Sequence, residues 1–145
     1  MEPAELALHR LHPDGWPRPR GYAHGLHASA GCAFVFVAGQ VGWDVHERLV
    51  SPAFVPQFEQ ALRNCLAVIA TAGGRAEDIV RMTVYCVDIE EYRAAREDLG
   101  RIWGAVIGRH FPCMSLLEVA RLLEPGARVE IEATAALPPG RGVRR

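Results

Sequence analysis

The chain has 145 residues, of which 50% are hydrophobic and 23% charged, with a formal net charge of -1. A chain of that length can bury a core of its own without a disulfide or metal staple, and the balanced charge supplies no basic field for nucleic acid. Its 16 basic residues are all arginine, which excludes chemistry that needs a Schiff-base lysine or a Walker A lysine.

Residues 1–20 are rich in Pro, His and Arg and read as an irregular lead-in, with no long apolar run of the kind a secretory signal needs. A first extended segment spans 21–27. After a turn at Ala30 and Gly31, residues 33–38 form a continuous apolar run rich in β-branched and aromatic types, the pattern of a buried strand. Gly39 and Gly42 end it, and a polar loop with Asp44, Glu47 and Arg48 follows.

Residues 54–72 give the clearest helix: Phe58, Ala61, Leu62, Cys65, Leu66 and Ile69 share one face, and Gly73–Gly74 is a natural stop. Residues 79–87 alternate as a strand. Asp88 then caps a second helix with Glu91 three residues on, and that helix runs to about Gly108. Two further strands cover 114–120 and 127–135, joined by a turn at 124–126. Glu130 and Glu132 fall on one face of the last strand.

The resulting order is β-β-α-β-α-β-β, an α+β fold with two helices packed on one face of a mixed sheet. Strands such as 35–37 carry apolar residues on both sides. One helical layer cannot cover both faces, so self-association is expected. A single domain is placed at 21–136, followed by a basic tail, 137–145, read as a frayed end. Cys32, Cys65, Cys86 and Cys113 form no C-x-x-C pair, which points to free thiols and a reduced, cytoplasmic setting. No apolar stretch is long enough to span a membrane.

Four blocks resemble the RidA/YjgF family of enamine and imine deaminases, some of which carry the older label endoribonuclease L-PSP. They are Gly21-Tyr22-Ala23-His24-Gly25; Val35-Phe36-Val37-Ala38-Gly39-Gln40; Gln60-Ala61-Leu62-Arg63-Asn64 with Ala72-Gly73; and the run from Phe111-Pro112-Cys113-Met114-Ser115 to Val129-Glu130-Ile131-Glu132-Ala133. The last is the most specific.

The resemblance implies a chorismate-mutase-like fold and a homotrimeric barrel, with small-molecule pockets between subunits. It implies hydrolysis of reactive enamines or imines: water attacks the imine carbon, and ammonia leaves as a carbonyl compound forms. The needs are an anchor, a proton carrier and backbone donors, with no metal or cofactor. Carried over by position, Glu130 is the acidic group and Tyr22 the aromatic hydroxyl. Ser115 and Leu116 line the pocket, as do Ala38 and Gly39. The family's carboxylate-binding arginine, after F-P-A, is here Met114, preceded by Cys113. Its helix asparagine corresponds to Arg96, and its glutamine after tyrosine to His24.

Methionine offers no clamp for a carboxylate. Either Arg96 supplies the charge from another wall, or the substrate lacks a carboxylate there and Cys113 and Met114 make an apolar pocket. Trp43 and Asp44 are candidates for the pocket mouth. His9-x-x-His12 and His24-x-x-His27 have ligand spacing, but no carboxylate or cysteine partners are evident. The leading function is hydrolysis of an enamine or imine with a non-standard substrate. The alternative is a non-catalytic trimeric protein binding a small metabolite. Ribonuclease activity, suggested only by the older label, would need a basic groove.

Overall fold

In the computed structural model, which describes residues 7–142, a four-stranded mixed sheet carries its helices on one face. The elements are β1 (Leu8–Leu11), β2 (Gly25–Ala28), β3 (Ala33–Val41), α1 (Phe54–Thr71), a 3-10 turn (Ala76–Asp78), β4 (Ile79–Cys86), α2 (Ile89–Ala94), α3 (Arg96–Val106), β5 (Cys113–Glu118) and β6 (Val129–Leu137). The sheet order is β3-β6-β4-β5, with β6 antiparallel to both neighbours and β4 parallel to β5. No helix among the described residues is long and apolar enough to cross a membrane.

Period-two alternation decides what each sheet face does. Met82 and Val84 on β4, and Val129, Ile131, Ala133 and Ala135 on β6, are buried toward the helices. They pack against Phe58, Ala61, Leu62, Cys65 and Ile69 of α1 and Leu99 and Trp103 of α3. The opposite face carries Arg81, Thr83 and Tyr85 beside Thr134, Glu132 and Glu130, and among the described residues no helix or strand packs over it. On its outer strand Phe34 is 58% and Phe36 78% exposed, their rings 6.3 Å apart.

The lead-in at 1–20 is not wholly irregular: Leu8–Leu11 is a strand, antiparallel to β2. It lacks an apolar alternation because backbone pairing, Leu8 opposite Ala28 and Leu11 opposite Gly25, and the His9–His27 ring contact hold it without a buried apolar face. Together these strands form a two-stranded ribbon separate from the main sheet. The signal-peptide reading falls partly on residues 1–6, which lie outside the described residues, as do Arg144 and Arg145 of the tail. The described part of that tail is anchored rather than frayed. β6 runs on to Leu137, and Arg141 Nη2 donates to buried Asp78 at 2.8 Å.

The second helix is two helices. Ala95 adopts φ -97°, ψ 7°, and its N–H is shared between the carbonyls of Glu91 and Tyr92, both at 3.1 Å. Asp88 caps α2 by accepting from Glu90 N at 2.9 Å. Glu91 does not complete a capping box; it turns to Arg128, with contacts of 2.8 and 3.0 Å.

Gln57 clamps α1 to the chain entering β6. Fully buried, it donates to Ser51 O (2.9 Å) and Gly126 O (3.0 Å) and accepts from Arg128 N (2.7 Å). A buried amide in water-free surroundings has to be satisfied in this way. Gly42 lies beside it, where a Cβ would come within 2.5 Å of Gln57 Cα. Gln57→Leu keeps the volume but orphans these groups, and should cost about 2 kcal/mol. Urea unfolding reads this as a lower midpoint at unchanged slope; an unmoved midpoint contradicts the clamp.

Candidate functional site

The residues singled out in the sequence fall into two sets. The first surrounds the start of β5. Ala23 N donates to Pro112 O at 3.0 Å, which lays the 21–24 segment along that strand. Tyr22, His24, Arg81, Cys113, Met114 and Ser115 then line one hollow of about 270 Å³. Met114 also lines a larger, mostly apolar hollow of about 390 Å³, on the helical side of the sheet, with Tyr92, Arg96, Leu99, Trp103, Phe111 and Leu116 among its walls. Arg96 and Met114 thus line the same hollow.

The walls of the larger hollow are braced. Trp103 stacks on Phe111 with ring centroids 6.1 Å apart and planes at 6°, and its Nε1 donates to His110 O at 3.0 Å. His110 Nε2 lies 2.6 Å from Ile79 O, so that nitrogen carries a proton. Tyr92 is partly buried, which pushes its hydroxyl pKa up despite the nearby Arg96 charge; it faces the hollow as a neutral donor.

The second set lies across the sheet. β3 does not end at Gly39: its register with β6 shifts between Val37 and Gln40, and the strand continues to Val41. At this bulge the Glu130 side chain lies directly over Gly39. A Cβ there would collide with Glu130 Oε1 and sit 2.8 Å from its Cδ. Ala38, in the same bulge, is exposed. Glu130 makes no hydrogen bond or ion pair among the described residues. Its neighbour Glu132 is engaged, accepting from Tyr85 Oη at 2.6 Å; that bond, chiefly, raises the Tyr85 pKa.

Glu130 and the larger hollow do not meet within one chain, whereas the smaller hollow, with Arg81, Cys113 and Ser115, opens on the same sheet face as Glu130. Glu130 projects on the bare sheet face from β6, whereas Met114 and Leu116 pair with core-facing Met82 and Val84. Strands β6 and β5 are separated by β4, and neighbouring strands lie about 4.8 Å apart.

Trp43 and Asp44 build a turn instead of a pocket mouth. Asp44 accepts from His46 N (2.8 Å) and Arg48 N (3.1 Å), bonds that lower its pKa, while Asn64 Nδ2 donates to Trp43 O (3.0 Å) and Val41 O (3.1 Å). The spaced histidines pair as rings, His9 with His27 and His12 with His24. Among the described residues no three His, Cys, Asp or Glu side chains gather as metal donors. Reasoning from sequence missed Tyr92, Trp103 and Arg109 as lining residues of the larger hollow. The Gly100/Gly104 pair, one helical turn apart, was the available signal, since it opens a groove on α3.

A mixed sheet with helices on one face and a braced apolar hollow make this an α+β domain with a cavity of small-molecule size. The family model described as Endoribonuclease L-PSP matches residues 19–137, and the chain belongs to that family, the RidA/YjgF group. It is 31% identical over 106 residues to the human 2-iminobutanoate/2-iminopropanoate deaminase, covering 72% of this chain and 74% of that one. The Rid-family protein YyfB of Yersinia pestis superposes with a TM-score of 0.80 at 27% identity, covering 91% of this chain and all of that one. E. coli TdcF with bound serine superposes at 0.64 with 26% identity, over 82% and 90% of the two chains.

Thiol reactivity checks which cysteines belong to the site. Burial pushes the Cys65 thiol up from an ordinary 9.0 to about 12 and Cys86 to about 11, whereas Cys113 is half-exposed in its hollow. At pH 8 a thiol reagent should modify Cys113 and leave Cys65 and Cys86 until the chain unfolds. Labelling of Cys65 at the rate of Cys113 would overturn this placement. The raised pKa values also fix a sign: between pH 9.0 and 11 the unfolded chain sheds both protons and the folded chain keeps them, so stability falls as pH rises.

Proposed function

We propose that the protein hydrolyses reactive enamines or imines to a carbonyl compound and ammonia, acting as a homotrimer in the cytoplasm, with a substrate outside the family's usual set. The observation that carries the reading is Glu130: a half-buried carboxylate without a cationic partner among the described residues, seated on Gly39 at a β-bulge. Such a group is free to move protons.

In this reading Glu130 takes a proton from water as its oxygen adds to the carbon of the protonated imine, and C=N becomes a carbinolamine. It then returns that proton to nitrogen; as the C–N bond breaks and ammonia leaves, the carbinolamine hydroxyl gives its proton to the Glu130 carboxylate and C=O forms. The Tyr22 hydroxyl and the backbone at Ser115 and Leu116 hold the substrate. The Arg96 guanidinium takes over the anchoring that Met114 cannot supply.

Three copies close the site. The bare sheet face, with Phe34 and Phe36 exposed on it, supports association, since a monomer seldom leaves so large an apolar patch wet. Association also supports a cleft in which Glu130 of one copy faces the Arg96 hollow of the next.

The second reading, a trimeric protein that binds a small metabolite without turnover, is favoured by Met114 alone.

Ammonia release from imines generated in situ tests the first. Glu130→Gln should lower it by at least 100-fold, and equal rates in wild type and variant would remove Glu130 from the chemistry. Arg96→Ala should weaken binding of small carboxylates more than Arg63→Ala, because Arg63 is already paired with Glu59 at 2.9 Å; identical titration curves for the two variants would end the anchoring role. Sedimentation should give a trimer for wild type and a smaller species for Phe36→Asp. A monomeric wild type contradicts the assembly.

A further inference from the structure

The larger hollow is wider than a three-carbon imino acid needs. At about 390 Å³ it could hold roughly a dozen waters. Its helical wall is open because Gly100 and Gly104 have no atom within 4 Å of where a Cβ would sit. The Trp103–Phe111 stack presents a fixed aromatic surface behind that opening, so a ring or branched chain entering there meets walls already in place.

Charge at the rim points to the other half of the ligand. Arg96 and Arg109 both line the hollow, and neither makes a hydrogen bond or ion pair among the described residues. Three carboxylates of α2 and α3 are paired elsewhere, Glu90 with Arg93, Asp98 with Arg101 and Glu91 with Arg128, and Glu97, next to Arg96 in the chain, makes no ion pair with it among the described residues. Two uncompensated guanidinium groups beside an apolar cavity attract an anion with an apolar body.

We infer that the hollow selects substrates with a bulky apolar side chain, aryl or branched alkyl, whose carboxylate pairs with Arg96 and Arg109. This rests on the enamine/imine reading and names its substrate class. Met114 then has a positive role: where arginine would put a charge against the side chain, methionine gives an apolar, adaptable wall.

Calorimetric titration of the full chain with phenylpyruvate and pyruvate, the keto acids that a large and a small imine would yield, tests this. Phenylpyruvate should bind at least tenfold more tightly than pyruvate. Gly104→Leu, at an exposed helix position where leucine is favourable, should fill the hollow and cost phenylpyruvate at least tenfold while leaving pyruvate within about twofold. Arg109→Gln should weaken both acids by about tenfold. Equal affinity for the two acids, or a Gly104→Leu chain that binds phenylpyruvate like wild type, overturns the inference.

Ammonia release from imines of phenylalanine and alanine is measured alongside. Release that does not discriminate between them sinks the substrate class and leaves the deaminase reading. Selective binding with no release leaves the pocket assignment standing and sinks the deaminase reading.

Discussion

The bare face of the four-stranded sheet is the constraint on which everything else depends. Strand alternation sends one set of residues to the helices, and the other set has no layer to meet. On that second face lie an exposed aromatic pair, Phe34 and Phe36, and a carboxylate, Glu130, with no cationic partner among the described residues. A single chain leaves the apolar surface in water and Glu130 across the sheet from the larger hollow. In the proposed trimer, association of copies would resolve both at once, and assembly and catalysis would have the same physical origin.

Within one chain the hollow is built with less compromise. Trp103 is fixed by a stack and a hydrogen bond, Tyr92 is kept neutral by burial, and Gly100 and Gly104 leave the helical wall open. The kink at Ala95 separates α2 from α3, so Tyr92 and Arg96 at one end of the hollow belong to different helices from each other. Met114 contributes apolar surface to the hollow, and Arg96 and Arg109 put positive charge at its rim. In the proposed substrate class that arrangement would hold the anion outward and leave the interior to a larger apolar group.

Much of this was legible in the residues. The α1 face from Phe58 to Ile69 and the alternation of β6 are strong periodic signals, and Phe111 to Ser115 with Val129 to Glu132 carries the family likeness. Other features left no local mark. β1 is held by backbone pairing with β2 and needs no apolar pattern. The break at Ala95 involves neither Pro nor Gly, only an N–H shared by two carbonyls. Gly39 reads as a strand terminator, yet it is a bulge that accommodates the Glu130 side chain, a contact between positions 91 residues apart in sequence. Arg109 looks like an ordinary loop cation until the fold brings it to the same rim as Arg96.

Subunit mixing tests the central claim, that Glu130 of one chain serves the hollow of another. Glu130→Gln and Gly104→Leu chains are each assayed alone, then unfolded together, refolded and assayed as mixed assemblies. If the site is shared, some clefts in the mixture combine an intact Glu130 with an intact hollow, and ammonia release returns to a substantial fraction of wild type. If Glu130 and the hollow act within the same chain, the mixture releases ammonia from the phenylalanine imine no faster than the average of its two components, and the shared cleft is wrong.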